Sequence, residues 1–522
     1  MGRHWMPWRP DVTHAETDDD CEDPDRIVLA DDVTQCLFVI TAKHMQFDLV
    51  CALLQLLGVD VPHLNQQINL EHSDMPFGQF LDIPAFAQSS NNLMHENSVK
   101  EFILNVIELL SPSFDDPQRS LLLRLVVTHR LALLCHNEEQ TKTLKTVKKW
   151  LKSKLKEDKN RNNLTLWLEL SGVDSRLGNT ADALHVITTA LKMSMTTGLS
   201  NMESDALKQL QVCSLFAQYV EITLGFAPIT ETSCSSIDVS PESFAACVRC
   251  LACMVSEGGV TDTAHPTAIA KLRAKNAFQQ YASKLQETYF RKGCDVNYQD
   301  YVILCHQGSI MTVWLKCFAY FLYCLSDFDA ARSLYESALE TLKTLTTARS
   351  TDSCIAQLYH QKLLSVVCKD WLALCKHRSQ LVPGSFRLLR HGLSAAVEAL
   401  PHDSQLMRLY VVLESKAGLA RQLRQFFHRL AGRGATAYIW LSVILAEMLR
   451  LQQLGKHCGG RTATETGISH QLRAWFEAAV DQQPRCPLLW RLYSFFEVRT
   501  REPKTSLVCQ VNTPSVVENS SV

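Results

Sequence analysis

The sequence predicts an all-α protein built as an α-solenoid of stacked helical hairpins, and three observations predict it. Glycine and proline number only 20 and 17 in 522 residues, roughly 7% where about 12% is usual, so turns are scarce and long helices follow. From about 98 to 500 the apolar residues recur with the helical period, and no run alternates as a strand would. Paired helix signatures also recur along the chain, as stacked hairpins leave them.

The elements follow in order. Residues 1–27 read as an acidic, disordered arm, because residues 11–25 hold eight acidic side chains and no Lys or Arg. Residues 28–58 form a helical segment in which Met45-Gln46-Phe47-Asp48-Leu49-Val50 runs into Leu53-Leu54-Gln55-Leu56-Leu57, with Gly58 as its stop. Residues 59–97, with Pro62, Pro76, Pro84 and many Asn and Ser, read as a loop. The helical repeat array spans 98–500, with breaks near 258–266, 292–298, 348–352 and 378–384 and inserts near 227–240 and 453–467. Residues 501–522 read as a disordered polar tail.

Within the array, Leu489-Trp490-Arg491-Leu492-Tyr493 has a close copy in Leu406-Met407-Arg408-Leu409-Tyr410 and a looser one in Leu166-Trp167-Leu168-Glu169-Leu170. These are first helices of hairpins, with Trp490, Tyr493 and Phe496 on one face. Second helices start at Gly178-Asn179-Thr180-Ala181-Asp182-Ala183, leading to Ala190, and at Ala330-Ala331-Arg332, leading to Tyr335 and Ala338. The segment Leu472-Arg473-Ala474-Trp475-Phe476 aligns with them. Alanine at such positions lets helices approach closely while a large residue one turn away fills the gap. Trp167, Gly178, Ala183, Ala190, Trp314, Ala331, Tyr335, Ala338, Tyr410, Trp440, Phe476, Trp490 and Tyr493 are therefore assigned as the structural signature of the repeat. The form Trp-x-x-Tyr-x-x-Phe-Glu, then Ala-Arg-x-x-Tyr-Glu-x-Ala-Leu, resembles the half-a-tetratricopeptide repeat, a relative of the tetratricopeptide. That resemblance implies a scaffold in RNA-processing assemblies. Glu336, Glu477 and Glu497 fall at repeat positions and are expected to hold hairpins together.

Composition excludes several functions. Net charge is −2, so no global field holds nucleic acid or an anionic membrane. The first thirty residues lack the apolar core of a signal peptide, and the 19 cysteines are read as reduced and intracellular. The most membrane-like run, residues 121–135, is broken by Arg124, His129 and Arg130, so no membrane is expected as a partner.

A closer resemblance rests on motifs that share one order along the chain. These are Pro7-Trp8-Arg9-Pro10, Glu22-Asp23-Pro24-Asp25-Arg26, Gln46-Phe47, Leu56-Leu57-Gly58-Val59, Asn160-Arg161-Asn162-Asn163, Glu465-Thr466-Gly467 with His470, and Cys486-Pro487-Leu488-Leu489-Trp490-Arg491. They resemble the middle of the nuclear-RNAi-defective-2 family. The resemblance implies a nuclear, half-a-tetratricopeptide protein linked to RNA silencing, splicing and restraint of the nuclear exosome through its helicase. The family's charged N-terminal helicase-binding region and its further C-terminal repeats have no counterpart here, so a truncated form that binds the helicase weakly is expected.

Two clusters invite chemistry. Cys247, Cys250 and Cys253 fall in a helical context, where the outer two lie about 9 Å apart along the axis and about 120° around it, so packed thiols are expected rather than a metal site. Residues 142–161 hold nine Lys or Arg against Glu157 and Asp158. Leu144, Val147, Leu151 and Leu155 form a packed stripe, leaving Lys145, Lys148, Lys149, Lys152 and Lys156 as a solvated face or a contact for RNA or an acidic partner. Lys148-Lys149 is also a candidate import signal.

No phosphate loop, dinucleotide fingerprint, nucleophile elbow or His-Glu-x-x-His pair occurs. The expectation is therefore a non-enzymatic scaffold in the nucleus, with no catalytic, cofactor or metal residue. A cytoplasmic tetratricopeptide-like adaptor and a cysteine-metal enzyme are the alternatives.

Overall fold

The computed structural model describes Trp8, Cys21 and, with gaps at 35, 38 and 58, residues 26–64. It then describes residues 97–132, 140–195, 206–227, 239–255, 267–291, 296–347, 354–382, 384–416, 420–431, 435–457 and 463–501. Most of the expected arm 1–27, most of the expected loop 59–97, most of the insert 227–240 and all but one residue of the tail 501–522 lie outside the described residues.

Every regular element among the described residues is a helix. Helices α1 (Ala30–Thr34), α2 (Lys43–Leu56) and α3 (Asn97–Leu110) come first. Hairpins follow, pairing α4 (Asp116–Ala132) with α5 (Gln140–Leu155), α6 (Leu164–Arg176) with α7 (Thr180–Ser194), and α8 (Ala206–Leu224) with α9 (Pro241–Val255). Helices α10 (Ala268–Arg291) and α11 (Tyr298–Gln307) intervene. The pairing resumes with α12 (Ile310–Cys324) and α13 (Phe328–Thr347), α14 (Cys354–Leu381) and α15 (Phe386–Ala399), and α16 (Ser404–Lys416) and α17 (Ala420–Ala431). Then come α18 (Ala437–His457) with α19 (Ala463–Gln482), and α20 (Pro487–Arg501).

First helices of successive hairpins touch, α4 on α6, α6 on α8, α8 on α12, α12 on α14 and α16 on α18. Each second helix packs against the next first helix, as α5 does on α6, α7 on α8, α13 on α14, α15 on α16, α17 on α18 and α19 on α20. This nearest-neighbour stacking defines an all-α solenoid. Ala183, Ala190, Ala331, Tyr335, Ala338 and Phe476 are fully buried where second helices meet their neighbours. The first-helix aromatics share a further device. The Trp167 indole donates to the Arg161 carbonyl at 3.0 Å and the Trp490 indole to the Pro484 carbonyl at 3.0 Å, each six residues back. Trp440 instead donates to Gln482 at 3.2 Å, Trp314 to the Phe278 carbonyl at 3.3 Å, and the Tyr493 ring stacks on Phe476 at 5.0 Å.

The turns have local causes. Gly178 sits at φ 81°, a left-handed conformation that glycine adopts without penalty, and the Asn179 and Gly178 amides close back on Asp174 and Ser175 carbonyls at 3.0 Å to end α6. Asn163 caps its start by accepting from the Thr165 amide at 3.1 Å. A Ser309–Thr312 capping box starts α12. Of the insert expected at 453–467, residues up to His457 belong to α18 and those from Ala463 to α19, while 458–462 lie outside the described residues. Gly467 lies inside a helix with open space around it, and helical neighbours carry a glycine there at a cost of about 1 kcal/mol.

Residues 298–324 correct the sequence expectation about apolar runs. By length and composition this stretch would suffice to cross a membrane, and it exceeds 121–135 in that respect. In the fold it is two helices parted at Gly308, which has φ 88°, and 67% of its most apolar window is buried. Helix α12 buries thirteen of its fifteen residues because α8, α9, α10, α13 and α14 surround it.

Helix α11 departs from the repeat. It packs on α14, and its Val302 enters the cluster formed by Phe47, Cys51 and Leu54 of α2, Ile103 and Ile107 of α3, and Leu121, Leu122 and Leu125 of α4. His306 Nε2 lies 2.8 Å from Nδ1 of buried His63, and its carbonyl accepts from the Arg124 guanidinium of α4. Residues 59–64, assigned to a loop, are irregular but contribute Val59, Val61 and His63 to this core.

Candidate interaction surface

The lysine-rich helix α5 divides into two sets. Leu144, Val147, Leu151 and Leu155 are buried against α6 and its surroundings. Lys148 turns inward and pairs with the buried carboxylate of Asp174 on α6. Lys154 also turns inward, reaching Glu108 of α3 at 3.3 Å and Glu157 at 3.0 Å. Burial opposes its charge, yet hydrogen bonds to those two carboxylates raise its pKa above the ordinary lysine value. Lys145, Lys149, Lys152 and Lys156 remain exposed, at i, i+4, i+7 and i+11, which places them on one side of the helix.

Of the five lysines singled out from sequence, the structure thus brings four into one stripe and spends Lys148 within the fold. Trp150 is engaged as well. Its indole donates to Glu108 at 3.2 Å, and the Arg130 guanidinium sits 5.6 Å from its ring centroid. The stripe offers four flexible ammonium groups over a helix length, a geometry suited to an extended polyanion or an acidic segment rather than to a small molecule.

A second constellation escaped the sequence reading. Arg390 of α15 grips Glu414 of α16 at 2.5 and 2.9 Å. Arg424 of α17 grips Glu447 of α18 at 2.8 and 3.2 Å, and Arg473 of α19 grips Glu497 of α20 at 2.6 and 3.3 Å. Each is a two-pronged guanidinium–carboxylate clasp from a second helix to the next first helix. Met407, Trp440 and Trp490 precede these acids by seven residues, as Trp167 precedes Asp174, so Lys148–Asp174 is the same joint with lysine as donor. Cys375 of α14 faces Arg332 of α13, and there Arg332 turns to Glu336 on its own helix at 2.7 Å. Of the three glutamates expected to join hairpins, Glu497 does so through a clasp, Glu336 pairs within its own helix, and Glu477 accepts from the Tyr493 hydroxyl at 3.5 Å.

First helices are laced together by polar ties. Arg124 of α4 reaches Glu169 of α6 at 2.8 Å, and Ser171 of α6 donates to Gln218 of α8 at 3.0 Å. Lys316 of α12 lies between Glu221 of α8, at 2.6 Å, and Asp370 of α14, at 3.1 Å. Burial alone would pull the Lys316 ammonium down, but Asp370 and Glu221 hold it well above the usual lysine range. These groups pair with one another across the first helices.

Cys247, Cys250 and Cys253 lie on α9. Cys247 is fully buried and hydrogen-bonds the Cys324 thiol of α12. Burial pushes the Cys250 thiol well above its ordinary value, opposite to an activated thiolate. Among the described residues no group of three His, Cys, Asp or Glu side chains is placed to hold a metal ion.

Comparison with known proteins fits this architecture. Residues 1–62 match the family model described as NRDE-2, necessary for RNA interference. Over 95% of its length the chain is 30% identical to the mouse protein named nuclear exosome regulator NRDE2. It is 29% identical to the human protein of that name over the same share. It spans 44% of the length of each relative. A family-model match over residues 1–62 and alignments over 95% of the chain together establish that this chain resembles the NRDE-2 family.

Proposed function

We propose that the chain is a non-enzymatic scaffold of nuclear RNA surveillance, a helical array that gathers proteins of exosome-linked and splicing-linked RNA processing. The alignment over 95% of the chain with proteins named nuclear exosome regulators carries this reading. The fold supports it, because a solenoid offers an extended surface for long partner segments and the buried charges are paired off. In this reading the signature residues set hairpin geometry, and the stripe of Lys145, Lys149, Lys152 and Lys156 makes a secondary, salt-sensitive contact with RNA or an acidic partner segment. The exosome's helicase is the first partner to test.

The decisive experiment is affinity purification of the tagged full chain from nuclei at two salt concentrations, followed by mass spectrometry and imaging of the tag. Nuclear accumulation with co-purifying exosome, helicase or splicing proteins is expected. Cytoplasmic accumulation with none of these proteins enriched would replace this reading by that of a cytoplasmic adaptor.

A further inference from the structure

We propose that the cleft where α4, α6 and α8 begin holds the sugar-phosphate backbone of a single-stranded RNA. The choice of RNA rests on the proposed role in RNA surveillance, and the cleft gives the strand a place to sit. Helices α4, α6 and α8 touch in series, and one cavity of about 620 Å³ is lined from the starts of all three. Three cations line it, Arg119 of α4, Lys159 of the turn after α5 and Lys208 of α8, against one carboxylate, Asp116. In a chain whose net charge is −2, this is a local excess of positive charge in a concave wall, where the field is focused.

Arg119 is the clearest pointer to an anion. Its side chain is 13% exposed while that of its partner Asp116 is 85% exposed, and its Nε is buried with no acceptor among the described residues. A mostly desolvated guanidinium held by one solvated carboxylate is poorly compensated. A phosphate offers oxygens to both prongs of a guanidinium and displaces so exposed a carboxylate at little cost.

The walls are built before any ligand arrives. Asn163 donates to the Ser120 hydroxyl at 2.8 Å and Gln211 to the Thr165 hydroxyl at 3.0 Å, tying α6 to α4 and α8 to α6, while Lys159 and Lys208 stay exposed. The polar groups beside the cations favour a nucleotide over a bare anion. Ser120 and Ser194 line the cleft and spend their protons on the Asp116 and Leu191 carbonyls, at 2.7 and 3.2 Å. Each hydroxyl therefore offers a ligand only lone pairs, which suit a donor such as the ribose 2′-OH. The cavity also lies within the roughly 300–1,000 Å³ of sites for small organic groups. Lys156, the last of the α5 stripe, precedes Lys159 by three residues, so their Cα atoms are at most about 11 Å apart. One strand can thus run from stripe to cleft. No aromatic ring is among the residues lining the cleft, so the backbone is held and the bases are not read.

The test is fluorescence anisotropy of the purified full chain with labelled oligouridylate and oligoadenylate at a series of salt concentrations. The two strands should bind alike. Lys159→Glu with Lys208→Glu should melt as the parent does, weaken binding at least tenfold and lower the slope of log affinity against log salt by about 0.7 for each lost contact. Asp116→Asn should act the other way and tighten binding, because it releases Arg119. An affinity that ignores the double variant while falling when Lys145, Lys149, Lys152 and Lys156 become glutamine would overturn the proposal. So would an absence of RNA binding, or inorganic phosphate or a phosphoserine peptide held through these residues more tightly than RNA. None of those results bears on the scaffold reading, which nuclear co-purification decides separately.

Discussion

Glu447 is 2% exposed and accepts from Arg424 through both oxygens. Removing it strands a guanidinium whose side chain is 32% exposed, so water relieves part of the loss. Glu447→Ala is expected to cost about 2 kcal/mol, below the cost of breaking a fully buried pair, read from the urea midpoint. At the joint where Cys375 replaces the acid, Arg332 already provides a positive charge. Cys375→Glu should therefore destabilise the chain markedly less than Leu374→Glu on the same helix, where no cation waits. Equal losses in thermal melts would mean that Arg332 cannot turn from Glu336. His306 supplies a pH dependence. Burial, with the nearby His63, Arg124 and Lys362 charges, lowers its pKa to about 3, below the unfolded value of about 6.5. The fold thus favours the neutral ring. This contribution is complete above about pH 6.5 and is lost as the pH falls towards 3. Denaturation at pH 7 and pH 4.5 should show a loss on the order of 2 kcal/mol from this ring that His306→Gln removes, while the slope from His360, His377 and His402, which burial also pushes down, remains.

At the level of the helix, legibility in the sequence followed repetition. Helices α6, α16 and α20 share the first-helix signature, and α7, α13 and α19 the second, because each packs on neighbours in one recurring geometry that selects aromatic and alanine positions. Helices α10 and α11 carry no such signature. Helix α10 packs on α9 and α12, its neighbours in sequence, without the repeat's residue pattern, whereas partners of α11 lie far away, as His63 does from His306, and pattern alone cannot find them. Helix α5 was half legible. Its leucine stripe told which side packs, but whether a lysine beside that stripe turns in or out depends on Asp174 and Glu108, which sit on other helices. The clasps were missed because Arg and Glu some 24 residues apart look like ordinary surface charge until the hairpins are stacked. A test specific to α5 follows. Replacing Lys145, Lys149, Lys152 and Lys156 by glutamine should leave melting unchanged. If the stripe touches single-stranded RNA, it should also lower the slope of log affinity against log salt by about 0.7 per lost phosphate contact. Fluorescence anisotropy with labelled RNA reads this, and an unchanged slope would place any nucleic-acid contact elsewhere.

Across the whole molecule, one apolar core runs from Leu164 to Phe496, while two smaller clusters serve the region from α2 to α6. In such stacks stability varies along the axis with the number of neighbours. Helix α20 packs on α19 and leaves Trp490 and Val498 about half exposed, whereas α12 is enclosed on every side. Amide exchange should therefore be faster in 487–499 than in 310–324, and equal protection would contradict this gradient.

The placement of α11 has a mechanical consequence. Stacked hairpins ordinarily behave as a spring, since each joint can open a little without disturbing the next but one. By linking α4 to α14 across the intervening hairpins, α11 works as the tie-rod of an arch. Residues 116–381 should resist bending as one stiff span, and 386–501, joined by core packing and clasps between neighbouring hairpins without such a tie, should act as the compliant arm. Under tension the arm would lengthen first, and the span would fail abruptly once its tie gave way.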